Sequence, residues 1–152
     1  MSAAPKQQPE QTVTMVFPAN IMSVWNEAEP MLKRSVDMLG THTTEDVRKM
    51  LLAGAAQLWV GWNNRLQEID WLMVTEFVNY PQGVWLRVWL AGAPEKRKTD
   101  WAPAEEAALD FMMANKCAGI EELGREGWAR RHEGFTNTAK SIRLFRYKVT
   151  GD

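Results

Sequence analysis

The stretch Glu68–Tyr80 limits the choice of fold more than any other part of the chain. It alternates as a strand does, with Ile69, Trp71, Met73, Thr75 and Phe77 on one side and Leu72, Val74 and Val78 on the other. Apolar residues on both sides predict a central strand covered on both faces. A strand-like run precedes it at Gln57–Trp62, joined by an Asn63-Asn64 turn in which Asn tolerates left-handed backbone. Another follows at Val84–Ala91 after the turn Pro81-Gln82-Gly83, with Val84, Leu86, Val88 and Leu90 opposite Trp85, Arg87 and Trp89. Three such runs at short spacing form an antiparallel meander.

A sheet with two apolar faces needs helices on both. From Ile21 the positions Val24, Trp25, Ala28, Met31, Leu32, Val36 and Leu39 recur at helical spacing, with Asn20 as N-cap and Gly40 as stop. Pro30 lies inside the pattern and predicts a kink or a split into two helices. Thr43 and Asp46 have capping-box spacing for a second helix carrying Val47, Met50 and Leu51 and ending near Gly54. A third helix starts near Pro103, and its alanines, with Phe111 and Met112, suit close packing on a sheet. Thr12–Phe17 reads as a first strand, Ile120–Leu123 as a later one, Trp128–Glu133 as a short helix and Ala139–Val149 as a last long strand. Residues 1–11 read as a flexible tail and 12–150 as one domain.

Several classes are excluded. The only cysteine, Cys117, rules out an intrachain disulfide and a Cys-based metal site, and reads as a small buried hydrophobe. The histidines, His42 and His132, show no zinc-binding spacing and read as surface residues. No run approaches the length of a membrane span, and the N-terminus has no secretory h-region. The net charge of −1 offers no global field for nucleic acid, although residues 116–149 carry eight Lys and Arg against four Asp and Glu.

The predicted order is β-α-α-β-β-β-α-β-α-β. That order, with Leu58-Trp59-Val60-Gly61-Trp62, Leu86-Arg87-Val88-Trp89-Leu90-Ala91-Gly92, Gly124-Arg125-Glu126-Gly127-Trp128 and the closing Ala129–Phe135 stretch, resembles small GNAT-like (acyl-CoA N-acyltransferase fold) proteins of tailed bacteriophages. The resemblance implies an α+β fold: a mostly antiparallel mixed central sheet with helices on both faces. In active members of that family, the loop after the fourth strand carries Arg/Gln-x-x-Gly-x-Gly/Ala. Glycines there let backbone amides approach the pyrophosphate of acetyl-CoA, and the following helix N-terminus stabilises its charge. Here the loop reads Gly92-Ala93-Pro94-Glu95-Lys96-Arg97-Lys98-Thr99-Asp100, with one glycine, a proline lacking an N–H and two acids. Many members also use a tyrosine as general acid; counted back from Gly134-Phe135, that place falls near Arg130, which cannot donate a proton at neutral pH.

With these two departures, the resemblance implies a non-catalytic GNAT-like phage structural or assembly protein with no cofactor. It would contact other phage or virion proteins, or a second copy of itself, through Trp101, Trp128, Arg143, Arg146 and Lys148. It would be made in the host cytoplasm and carried in the virion. In the last strand Lys140, Arg146 and Lys148 share one face while Arg143 points the other way. That strand reads as an edge guarded by its charges. The alternative is an N-acyltransferase using acetyl-CoA with a divergent cofactor loop, in which Gly92, Ala93, Lys96, Arg97 and Lys98 hold the phosphates and Glu76 is the base. A solvated loop at 96–98, and Glu76 facing solvent or paired with Arg87, are the plainer readings of those residues. Core positions are expected for most of Trp59, Trp71, Trp85 and Trp89. A nucleic-acid-binding module ranks third.

Overall fold

The computed structural model describes residues 8–124, 135–137 and 143–148. β1 (Gln11–Val16) leads through a 3-10 turn at Pro18–Asn20 into α1 (Ile21–Leu39) and α2 (Thr44–Leu52). Then come β2 (Gln57–Asn63), β3 (Glu68–Tyr80), β4 (Gly83–Gly92), α3 (Ala102–Ala114), β5 (Gly119–Gly124), β6 (Phe135–Asn137) and β7 (Arg143–Lys148). They build one seven-stranded sheet in the order β1-β2-β3-β4-β5-β7-β6. β4 and β5 run parallel and every other pairing is antiparallel. The architecture is α+β with a mixed, mostly antiparallel sheet.

The helices cover opposite faces. Ile21, Trp25, Ala28, Leu32 and Val36 of α1 and Val47 and Leu51 of α2 pack on Leu58, Val60, Ile69, Leu72, Val74, Trp89 and Leu90. Ala104, Ala108 and Met112 of α3 pack on Trp59, Trp71, Met73, Leu86, Val88 and Ile120. The alanine stripe lets α3 lie close, as its sequence predicts. Burying each of these large side chains contributes roughly 1.5–3 kcal/mol, which is why the sheet is apolar on both sides.

Two bulges correct the simple alternation. Gly61 pairs with Trp71 and Trp62 with Ile69, so Asp70 has no residue across it on β2. Val74 pairs with Leu90 and Thr75 with Val88, so Trp89 has none across it on β3. Each extra residue resets the pleat. Ile69 therefore lies beneath α1 and α2 while Trp71 faces α3, and Leu90 parts company with Leu86 and Val88.

Other expectations are corrected as well. Pro30 does not split α1; it sits on the exposed side, as does Asn26, whose carbonyl loses its donor. Asn20 makes no side-chain cap, whereas Thr43 and Asp46 form the full capping box. The left-handed residue of the β2–β3 turn is Gln67 (φ 54°), while the Asn63 side chain accepts from the Leu66 amide at 2.8 Å. β1 begins at Gln11, and the Glu10 and Pro9 carbonyls just before it accept from Asn64. β7 is no edge strand, since β6 pairs along its outer side.

Candidate functional site

The site begins where β4 parts from β5. The parallel ladder runs from Trp85 opposite Gly119 to Val88 opposite Glu122 and stops there, although β4 continues to Gly92 and β5 to Gly124. The break coincides with the bulge at Trp89, and a bulge bends its strand. β4 stays paired with β3 through Gly92, and β5 with β7 through Gly124, so among the described residues the edges facing the gap keep peptide groups without ladder partners beyond Val88 and Glu122. Buried peptide groups need partners, and an extended amide-bearing chain is one group whose shape and hydrogen bonding would match such edges.

Gly92 ends β4 beneath α1. A Cβ on it would stand 2.2 Å from the Met31 carbonyl oxygen, so its missing side chain serves the close crossing of α1 over β4. Gly61 serves in the same way, where a Cβ would meet the Trp71 indole at 2.3 Å.

Below the gap, on the face of α1 and α2 but outside their packing, lies a polar group built from three strands. Arg87 on β4 meets Glu76 of β3 at 3.3 Å and Glu121 of β5 at 3.4 Å. The Tyr80 hydroxyl donates to Glu121 at 2.7 Å, and Arg87 donates to that hydroxyl oxygen at 3.3 Å. The register dictates this meeting, since Glu76, Arg87 and Glu121 sit directly across from one another. Glu121 is fully buried. Burial alone would lower the affinity of Arg87 for its proton, but the charge of Glu121, the Tyr80 hydroxyl and Glu76 raise it, so Arg87 remains a cation. Neither Tyr80 nor Glu121 stands out as a site residue in the sequence. The available signal was the acidic pair Glu121-Glu122 inside an otherwise apolar strand, both of which are buried.

The loop from Ala93 to Trp101 follows β4 at the end where its ladder with β5 has stopped. Its basic residues are not gathered on one anion-facing surface. Lys96 reaches Glu68 at 2.9 Å, and Arg97 reaches Glu68 at 2.6 Å and Asp70 at 2.5 Å. Among the described residues Lys98 makes no ion pair and is exposed. At the start of α3 the Ala102 amide bonds to Asp100 at 3.1 Å, Pro103 has none, and the Glu105 amide returns to Trp101. Ala104 carries the remaining amide of that turn.

Further residues fall around this centre. His42, between α1 and α2, stands edge-on to Trp89 with ring centroids 4.8 Å apart, and is half-buried rather than a free surface residue. Trp101 tilts against Trp71 at 6.5 Å and is partly buried on the α3 side. Trp59, Trp71 and Trp89 are core, and Trp85 is half-buried. Burial pushes the Cys117 thiol up, away from nucleophile chemistry. Arg143, Arg146 and Lys148 lie on β7, where Arg146 is in register with Glu121. Trp128, Arg130, His132 and Lys140 lie outside the described residues. Among the described residues no group of three or more His, Cys, Asp or Glu is placed to hold a metal, and no helix is long and apolar enough to cross a membrane.

No family model matches the sequence, and no curated protein matches it. Solved structures do. A chain of the NatC complex bound to Gag peptide and CoA aligns with TM-score 0.69 at 11% identity, covering 91% of this chain and 96% of that one. A GNAT family acetyltransferase from Brucella melitensis in complex with acetyl-CoA gives TM-score 0.64 at 14% identity, over 93% and 90% of the two chains. The PaiA N-acetyltransferase from Thermoplasma acidophilum, in complex with coenzyme A, gives 0.59 at 9% identity over 91% and 98%. The fold is GNAT-like. The expectation of a non-catalytic assembly domain without a cofactor is corrected by these likenesses. Solved proteins that share the scaffold over nearly its whole length include acetyltransferases, and all three of these structures contain acetyl-CoA or CoA. The weight given to the missing glycines was misplaced. The gap itself depends on the β4 bulge and the end of the β4–β5 ladder, and neither requires a glycine-rich loop.

Proposed function

We propose that the protein is an N-acetyltransferase that takes acetyl-CoA in the gap between β4 and β5 and transfers the acetyl group to an amine. The observation that carries this reading is the parallel ladder ending at Val88 and Glu122 beside the Trp89 bulge, beyond which the two strands diverge with no ladder between them among the described residues. The fit to the cofactor differs between its two ends. Peptide groups of Trp89–Gly92 suit the amides of a pantetheine arm, in the manner of an added strand. At the phosphate end Lys98 offers an exposed cation, so charge on the loop takes over from a glycine cradle. Acetyl-CoA, when bound, would supply an activated acetyl thioester, whose C–S bond would break as the amine nitrogen forms the amide C–N bond, with CoA leaving as the thiol after taking up the second proton that the amine gives up.

The chain's own residues manage the proton. An ammonium must lose one before it attacks, and a carboxylate within reach accepts it. Glu76 and Glu121 share Arg87, and Glu121 borders the gap while Glu76 stands one strand further away. Glu121 is therefore the acceptor, with Tyr80 and Arg87 fixing its orientation. The phage-like segments support an enzyme encoded by a tailed phage, made in the host cytoplasm, with phage proteins or a second copy of the chain as partners.

Calorimetric titration with acetyl-CoA, followed by acetylation of a panel of amines and peptides, tests the reading. Micromolar binding and transfer are expected, with Glu121→Gln lowering kcat by roughly 10²–10⁴-fold and Glu76→Gln by less. Absence of acetyl-CoA binding by the wild-type protein would overturn it.

A further inference from the structure

The bulge in β3 turns one carboxylate toward the loop that follows β4. Asp70 has no residue across it on β2. Its oxygens accept from Gln11 at 2.8 Å, from Asn63 at 3.2 Å and from Arg97 at 2.5 Å. Arg97 spends its other terminal nitrogen on Glu68 at 2.6 Å, and Lys96 joins at 2.9 Å. The far end of the network is rigid: Gln11 belongs to β1, Asn63 to β2 and Asp70 to β3, and the Gln11 side-chain oxygen also accepts from the buried Trp71 indole at 3.1 Å. The near end is a loop. Among the described residues it has one tight turn, at Glu95-Lys96, and no helix or strand between Gly92 and Ala102.

We propose that Asp70 is a positioning residue for cofactor binding, holding the 93–101 loop through Arg97 in the geometry that receives the phosphates of acetyl-CoA. This rests on the acetyltransferase reading. The physical reason is entropic. A loop that must present a few donors to a diphosphate loses affinity by the freedom it gives up on binding, and a clamp that removes this freedom beforehand restores it. Glycine-rich loops solve the problem by local backbone geometry. Here Pro94 and the two-pronged grip of Arg97 on Glu68 and Asp70 perform the task from outside. The grip is also well suited to it: Arg97 is 29% exposed and Asp70 17%, so the pair is screened less by salt than a fully solvated one. A planar guanidinium held by two carboxylates fixes direction as well as distance.

Hydrogen exchange of the loop amides, measured on the full chain without ligand, and calorimetric titration with acetyl-CoA read the two halves of the proposal. In Asp70→Asn, exchange across 93–101 should rise at least about tenfold while the β3 amides at 72–75 stay protected. The Kd for acetyl-CoA should rise about tenfold with kcat changed less than about twofold. Asp70→Glu, which restores the charge, should recover part of both. Should Asp70→Asn fail to fold, Arg97→Gln reads the same clamp from the loop side. Unchanged loop exchange, or a loosened loop with unchanged acetyl-CoA affinity, overturns the role of Asp70 alone. A wild-type protein that does not bind acetyl-CoA overturns the acetyltransferase reading and this role with it.

Discussion

Replacing Gly92 by alanine separates two accounts of the one glycine that precedes the loop. The added Cβ would lie 2.2 Å from the Met31 carbonyl oxygen and 2.7 Å from its carbon. Ordinary heavy-atom contact is about 3.5–4.0 Å, so α1 and β4 must part by on the order of 1 Å. The atom in the way is backbone in the middle of a helix and cannot rotate aside. α1 moreover carries Ile21, Trp25, Ala28, Leu32 and Val36, all at most 5% exposed, so a shift there disturbs the largest apolar cluster. Overpacking a filled core costs typically 1–3 kcal/mol, and the upper end, about 3 kcal/mol, is expected. With a urea m-value of roughly 1–3 kcal/mol/M, the unfolding midpoint should fall by about 1–3 M. Equilibrium urea unfolding followed by tryptophan fluorescence is the direct assay. A loss below about 0.5 kcal/mol would refute the packing argument. So would a normal midpoint with weakened acetyl-CoA binding, which would return Gly92 to the phosphates.

Two further outcomes follow from the same structure. Pro30 is exposed inside α1, and proline in a helix interior is about 3 kcal/mol less favourable than alanine, so Pro30→Ala should stabilise the protein by about 1–3 kcal/mol in the same urea assay. A decrease would mean that the proline ring is a packing element. Acid should weaken the loop clamp. Burial pushes the Asp70 carboxyl up, but hydrogen bonds from Gln11, Arg97 and Asn63 outweigh it and hold it below its ordinary value, and Lys96 and Arg97 do the same for Glu68. A depressed folded-state value contributes stability that is present above the unfolded value, about 4, and is lost as pH falls through the folded one. Stability and protection of 93–101 should therefore decline below about pH 4, less steeply in Asp70→Asn; identical acid limbs would contradict this.

The layers of the fold were legible because burial leaves a periodic trace. α1 can be read from its apolar spacing, α2 from the Thr43–Asp46 pair, and the meander from β-branched and aromatic runs between turn residues. The site was only partly legible. Glu76 opposite Arg87 follows from antiparallel pairing at known turn lengths. Glu121 joining them does not, because parallel pairing of β4 with β5 is set by how α3 crosses over and leaves no local mark on either strand. Lys96 and Arg97 were visible as a basic loop, but their partners Glu68 and Asp70 are more than two dozen residues earlier in the chain and reach them only through the returning hairpin.

The deeper misreading concerns the two bulges, and it explains why the function was harder to see than the fold. Alternation assigns a face to every residue of a strand by counting from any one of them, so a single unpaired residue puts all later assignments on the wrong side. Counting placed Ile69 with Trp71 and Leu90 with Val88; Asp70 and Trp89 break both pairs. Neither break is visible in composition, since an aspartate and a tryptophan are each compatible with an unbroken strand. Yet the two irregularities lie toward the end of the sheet where Gly92 meets α1 and the 93–101 loop departs. One bends β4 where it leaves β5, and the other aims a carboxylate at the loop beyond. Remove the extra residue at Trp89 and the ladder to β5 has no cause to stop at Val88. Remove the one at Asp70 and its carboxylate returns to the alternation of β3, away from Arg97. The same meander and the same helices would then enclose a continuous sheet with no opening, which is why the acetyltransferase reading depends on these two residues more than on any motif.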